Sequence, residues 1–358
     1  MSSSSADVER VRSSYESRFR GKLAFMAIVV VLLLFLALFS LGIGAVNFSL
    51  SETVHVLLGK GTTMGRRIIL NIRAPRVLTA VVVGSGLAVA GAALQSLLRN
   101  PLASPYTLGI SHSAAFGAAF SVVVLGAGSG GGAEGNIVFN NPHITVLSAF
   151  GWSMLTVLII IALGKFRNSS PVTLILTGIA LGSLFTAGYT VMQYFADQSE
   201  LSSIVFWTFG DVGRTNWPQL GIMAAAVAPA VAYFVYRGWS LRAMSSGDET
   251  ARSLGINPER LRIVGTLLAG LITALMVSFV GIIGFVGLVV PHIVRRFIGG
   301  EERYLLPASC LVGSLLLLGS DTAARTVAAP IVLPVGILTS FLGVPLFIYL
   351  VLRGKEYW

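Results

Sequence analysis

Ten apolar stretches divide this chain: residues 23–46, 77–98, 106–127, 144–163, 172–195, 217–236, 263–280, 282–298, 305–320 and 331–352. A helix of roughly 20 apolar residues crosses the hydrocarbon core of a bilayer. Lipid offers no hydrogen bonds to an unpaired backbone, so segments of this kind must be helical. The expected fold class is therefore an all-α polytopic membrane protein of about ten transmembrane helices. Composition agrees. Only 11% of the 358 residues are charged, where a soluble domain carries about 25%. The 40 glycines fit close helix packing in lipid. The least defined boundary lies within 263–298, where only Gly281-Ile-Ile-Gly284 can break the run. One long tilted helix there would make the span count odd.

Residues 1–22 are polar, with Arg10, Arg12, Arg18, Arg20 and Lys22 ahead of the first apolar run. That run is longer than the ~7–15-residue core of a secretory signal. It reads as an uncleaved first span, after a cytoplasmic tail at 1–22. A single membrane domain then occupies 23–353, and a short cytoplasmic tail 354–358. With the N-terminus inside and ten spans, 18 of the 25 Lys and Arg fall inside and seven outside. The positive-inside rule thus places both termini in the cytoplasm. Lys60, Arg66, Arg67, Arg73 and Arg76 precede the second span on the outer side, against that rule, which assigns them another task.

The net charge of +10 would point a soluble protein toward nucleic acid; here the basic residues serve topology first. None of the Gly-Lys pairs at 21, 59, 164 and 354 is followed by Ser or Thr or preceded by a phosphate-loop glycine. Gly130, Gly132 and Gly135 match Gly-x-Gly-x-x-Gly, but within a Gly/Ser linker with no strand before it. His55, His112, His143 and His292 have no metal-ligand spacing among them, and the one cysteine, Cys310, builds neither disulfide nor metal cluster. No metal or cofactor bound by this chain is expected. A secondary transporter would need buried carboxylates around ion sites, and intramembrane acids are nearly absent. A membrane enzyme would want carboxylates at span ends. Asp321 is the only acid at the outer end of a late span, and Arg325 is its natural partner four residues on in a helix.

Four stretches carry more information. Ile72-Arg-Ala-Pro-Arg-Val-Leu78 leads into a run with small residues at 84, 86, 88 and 90–93, which lets another helix approach. Gln95 is a polar group inside that span and must face a partner or a pore. Arg99-Asn-Pro-Leu-Ala-Ser-Pro105 ends it. Residues 241–262 form a polar island between apolar runs. Gly247-Asp-Glu-Thr-Ala-Arg-Ser-Leu-Gly255 reads as a short helix there, with Asp248 and Glu249 in its first turn and Gly255 at its end. A second helix can start at Asn257-Pro258. The third stretch is Gly284-Phe-Val-Gly-Leu-Val-Val-Pro-His-Ile-Val-Arg295. The fourth, Leu333-Pro-Val-Gly to Leu342-Gly-Val-Pro-Leu-Phe-Ile348, is interrupted by Gly and Pro.

Together and in this order, these motifs resemble the FecCD family of permeases, the membrane subunits of ABC importers for iron–siderophore complexes, haem and cobalamin. The resemblance runs from about Ile72 to Arg353. It implies ten spans per subunit and a second permease subunit, expected as a homodimer around one pore. It also implies two cytoplasmic ATPase subunits that carry ATP–Mg, an external binding protein, and residence in a bacterial or archaeal inner membrane. Iron–siderophore is the expected cargo, with haem, cobalamin or an oxyanion such as molybdate as alternatives. Gly247, Asp248, Glu249, Ala251, Arg252, Leu254, Gly255 and Ile256 resemble the coupling helices that seat in the ATPase. Arg73, Arg76 and Arg325 resemble the external arginines that meet acidic residues of the binding protein. Asn100 and Leu102 match positions near the inner gate, and Gln95 joins them as a pore candidate. Ser170-Pro171-Val172 stands where some cobalamin permeases carry a polar pair, a departure from that pattern.

Overall fold

The computed structural model describes residues 3–44, 46–128, 141–166, 170–329 and 331–353. The Gly130–Gly135 motif and the tail 354–358 lie outside the described residues. Among those described, every regular element is helical. The ten predicted spans are α1 (Ser3–Gly42), α3 (Thr63–Leu98), α4 (Ile110–Val123), α5 (Pro142–Phe166), α6 (Pro171–Phe195), α8 (Trp217–Tyr236), α11 (Pro258–Val280), α12 (Val286–Ile298), α13 (Glu302–Thr326) and α14 (Val335–Arg353). Between them lie the short helices α2 (Leu50–Leu57), α7 (Gln198–Thr208), α9 (Gly238–Ser245) and α10 (Asp248–Ser253). Seven helices, α1, α3, α5, α6, α8, α11 and α13, are long and apolar enough to cross a bilayer. The helices α4 and α14 are shorter apolar elements.

Two elements begin far ahead of their apolar stretches. The helix α1 begins at Ser3 and so includes the polar N-terminal segment. The helix α3 begins at Thr63, 36 residues in all, and passes through a π-helical turn at Arg67–Arg73 before Pro75. Proline fits the first turn of the segment that follows, where its missing N–H is no loss.

Helix starts follow their local chemistry. Asn257 Oδ1 accepts from Arg260 N–H at 2.9 Å ahead of Pro258, and Asn216 with Gln219 forms a capping box on α8. The predicted break between the seventh and eighth spans is real. Gly281 sits at φ +77° and Phe285 at φ +66°, left-handed conformations that stop α11 and restart the chain as α12.

The hub is α3. In its most apolar window 78% is buried, against 11% for α1 and 22% for α6. It packs on α13, α11, α12 and α8. Its small residues permit backbone contact. A Cβ on Gly84 would stand 2.4 Å from Gly313 O of α13, and one on Gly91 only 1.8 Å from Gly287 O of α12. The segment 207–211 closes on the α11–α12 break, where Asp211 N–H donates to Val280 O at 2.7 Å.

Candidate functional site

At one end of the bundle, the polar island folds as α9 and α10. The helix α10 ends by a Schellman motif: Gly255 N–H donates to Arg252 O at 2.9 Å and Ile256 N–H to Ala251 O at 3.0 Å. Gly255 takes φ +79° and Gly247, at the start, φ +119°, both conformations that disfavour a side chain. Ala251 is buried, while Glu249, Arg252, Leu254 and Gly255 are exposed and Ile256 half-buried. The segment is tied down by Asp248, whose Oδ1 accepts from Arg262 Nη2 at 2.7 Å. Arg262 is fully buried and donates from Nε to Leu97 O, 3.1 Å away at the end of α3. Arg99, with φ +46°, lies 3.9 Å from Asp248. The water-facing α10 is thus fastened to the last turn of the hub helix.

The same end holds the other predicted residues of α3. Asn100 N–H donates to Gln95 O at 3.1 Å, and Asn100 Oδ1 accepts from Leu102 N–H at 2.8 Å. Pro101 O lies 3.0 Å from His292 Nε2. Leu102 is exposed. Gln95 is buried: its Nε2 donates to Leu288 O at 3.2 Å and its Oε1 accepts from Arg295 Nη1. Both bonds tie Gln95 to α12. Sequence reasoning missed Arg295 and Glu302. Glu302 is buried at the start of α13, accepts from Ser96 Oγ at 3.4 Å and lies 3.8 Å from Arg242. No local pattern marks it, because its partners are about 60 and 200 residues away.

At the opposite end, Arg76 and Arg325 meet on Asp321, and Arg73 lies close to Arg325. Arg76 Nε donates to both Asp321 oxygens, at 2.9 and 3.2 Å, and its Nη2 lies 3.4 Å from Asp211. Arg325 Nε donates to Asp321 Oδ2 at 3.1 Å and its Nη1 to Ile43 O at 3.0 Å. Arg73 Nη1 donates to Leu41 O and Gly42 O, each at 2.8 Å, and its Nη2 to Val46 O. Asp321 is fully buried, Arg73 and Arg325 nearly so. All three arginines are turned inward, binding α1, α3 and α13 together. Lys60, Arg66 and Arg67 are the exposed cations nearby. Arg214 donates to Trp207 O at 3.2 Å; burial lowers its pKa, and Asp211 opposes that fall.

Between the ends, a cavity of about 590 Å³ opens beside the α11–α12 break. Ser104, Tyr106, Thr107, Phe285, Gly336 and Ser340 are among its walls, an apolar surface with scattered hydroxyls. A helical bundle with a buried hub, a bland cavity and a water-facing clip is the layout of a membrane permease.

The chain matches the FecCD transport family over residues 32–353 and belongs to it. It is 48% identical over 343 residues to an ABC transporter permease protein of Methanocaldococcus jannaschii, covering 96% of this chain and 98% of that one. The hemin transport system permease protein HmuU of Yersinia pestis is 37% identical, over 92% of this chain and 96% of its own. A solved chain described as a metal-chelate type ABC transporter, inward-facing, superposes with TM-score 0.80 at 31% identity. The match covers 92% of this chain and 98% of that one.

Proposed function

We propose that this chain is one half of the pore of an ATP-driven importer for a bulky metal chelate, with a ferric siderophore as its cargo. Membership of the FecCD transport family over nearly the whole length supports the transport class. A relative named as an Fe(3+)-citrate import permease of Bacillus subtilis, 37% identical over 90% of this chain, supports ferric cargo. HmuU is equally similar, which keeps haem as the second reading. Cobalamin and molybdate relatives stand at 32% and 33%.

The chain sits in the cytoplasmic membrane of a bacterium or archaeon, with both termini and α10 inside. A second copy completes the pore. Two ATPase subunits bind ATP–Mg and close beneath it, this chain holding no cofactor. A binding protein delivers cargo to the Arg73, Arg76 and Arg325 end. When the ATPases close, they push on Gly247–Ile256. The Asp248–Arg262–Leu97 tie passes that movement to α3, next to Asn100 and Leu102 at the inner gate. This tie is the observation that carries the reading, because it joins the exposed clip to the buried helix on which α8, α11, α12 and α13 pack. The cavity walls hold cargo weakly, which suits passage, since strong pore binding would slow release.

The test is Glu249→Arg in the assembled transporter. Glu249 is exposed, so the variant is expected to insert and fold normally, yet to lose ATP-dependent uptake by at least about tenfold, as a reversed charge at a docked surface does. Undiminished uptake would remove α10 from the coupling role. Cargo is read separately, from which chelate the cognate binding protein retains.

A further inference from the structure

The helix α8 presents an exposed stripe of apolar or small residues, Ile222, Ala225, Ala228 and Ala232, ending in Tyr236. Helical spacing puts these on one face, and in a membrane that face meets acyl chains. Tyr236 is 82% exposed and Trp239, on the next helix, 63%. Exposed Tyr and Trp at a helix end mark the headgroup level.

At that level a cavity of about 360 Å³ lies between the end of α8 and the start of α11. Tyr233, Arg237, Asn257 and Arg260 line it, with Gly255 and Ile256 from the end of the α10 segment. Both guanidinium groups are exposed. Arg237 lies 5.9 Å from the ring centres of Tyr233 and Tyr236. Among the described residues neither arginine has a carboxylate partner. The adjacent Glu259 is turned to Arg252 at 3.3 Å, and Asp248 to Arg262 at 2.7 Å. Two unneutralised cations therefore share one recess, and the positive end of α11 adds to its field.

We propose that this recess holds the phosphate of an anionic phospholipid headgroup, whose chains lie along the α8 stripe. Each guanidinium supplies paired N–H donors that match phosphate oxygens, and the rings of Tyr233 and Tyr236 hold Arg237 at the headgroup depth. The stripe favours a lipid over free phosphate, because it leads acyl chains to the mouth of the recess. Residues 255–257 form part of the wall, so a bound lipid braces the C-terminal end of the α10 clip. The site depends neither on the cargo nor on the direction of transport.

The experiment is native mass spectrometry of the full-length chain, released from detergent after exposure to phosphatidylglycerol or phosphatidylcholine. The unaltered chain is expected to retain phosphatidylglycerol about tenfold better, since a basic side chain near the surface contributes roughly a kcal/mol toward anionic lipid. Arg237→Gln with Arg260→Gln is expected to bring the two lipids to within about twofold of each other. Arg303, also exposed but outside the cavity lining, provides the control: Arg303→Gln is expected to keep the preference. Equal retention of both lipids by the unaltered chain overturns the proposal. So does an equal loss in the Arg303 variant, which would mean diffuse surface charge. Displacement of the lipid by millimolar inorganic phosphate, but not by chloride of equal ionic strength, would assign the recess to the free anion and overturn the lipid assignment. Two of these readouts use only the unaltered chain and stand even if the double variant fails to fold.

Discussion

Asp321 is one buried carboxylate facing two arginines, Arg76 and Arg325. Removing it leaves two guanidinium groups sharing a closed space in which, among the described residues, Asp211 is the one remaining carboxylate in contact, 3.4 Å from Arg76. Breaking a buried pair costs about 3–5 kcal/mol, so Asp321→Ala is expected to lower the thermal midpoint in detergent sharply. A midpoint within a degree or two of the parent would mean that water already fills the site. The same geometry bears on docking. Arg73 and Arg76 are spent on their own chain, so Arg73→Glu with Arg76→Glu is expected to destabilise the isolated chain before it affects any partner. A variant of normal stability with a salt-sensitive docking defect would instead show that both arginines swing outward when the binding protein arrives. Half of this cluster was legible in the sequence. Arg325 and Asp321 stand four apart, the spacing that meets on a helix. Arg76 and Asp321 are 245 residues apart, and no local pattern announces a pair at that distance.

The ten spans were readable as elements because lipid imposes one rule on every one of them, an apolar run closed into a helix. The break after α11 was readable because Gly281 and Gly284 interrupt that run. The clip was readable from Asp248, Glu249 and Gly255, which mark the two ends of α10 by the charges and conformations those ends favour. The extension of α3 back to Thr63 was not, since its first turns are polar and it passes a π turn that has no sequence signature. The order of packing was legible only in outline. The small residues of α3 promised close approach, but which neighbours approach is a matter of the assembled bundle. The structure gives α12 at Gly91 and α13 at Gly84. A valine at Gly91 would put its Cβ 1.8 Å from Gly287 O, and neither backbone can step aside without moving a helix. Gly91→Val is therefore expected to cost more than the about 1–3 kcal/mol of ordinary overpacking, seen as aggregation on size-exclusion chromatography. Gly151, which has open space at its Cβ position, is the matching site where the same change is expected to be tolerated. Equal behaviour of the two variants would show that the α3–α12 contact is looser than its geometry.

For the whole molecule, the question is where the free energy for transport enters. The chain carries no phosphate-binding loop, and the buried carboxylates among the described residues, Asp321 and Glu302, are engaged by arginines or hydroxyls of the same chain. Ion-coupled carriers need such groups to exchange partners, and these two sit at opposite ends of the bundle. What the molecule offers instead is a buried hub, α3, with a charged clip fastened to one end and an arginine knot to the other. Under the coupling role proposed above, a push at α10 tilts the spans, and the hydrolysis that generates the push is done by a separate ATPase. Sealed vesicles holding only this chain are therefore expected to show no ATP hydrolysis above the lipid blank and no accumulation of any chelate, with or without a proton or sodium gradient. Adding the cognate ATPase to the inner face and the binding protein to the outer is expected to restore accumulation, and restoration should need both. Gradient-driven accumulation by the chain alone would move the energy source into the bundle and require that Asp321 or Glu302 release its arginine during the cycle.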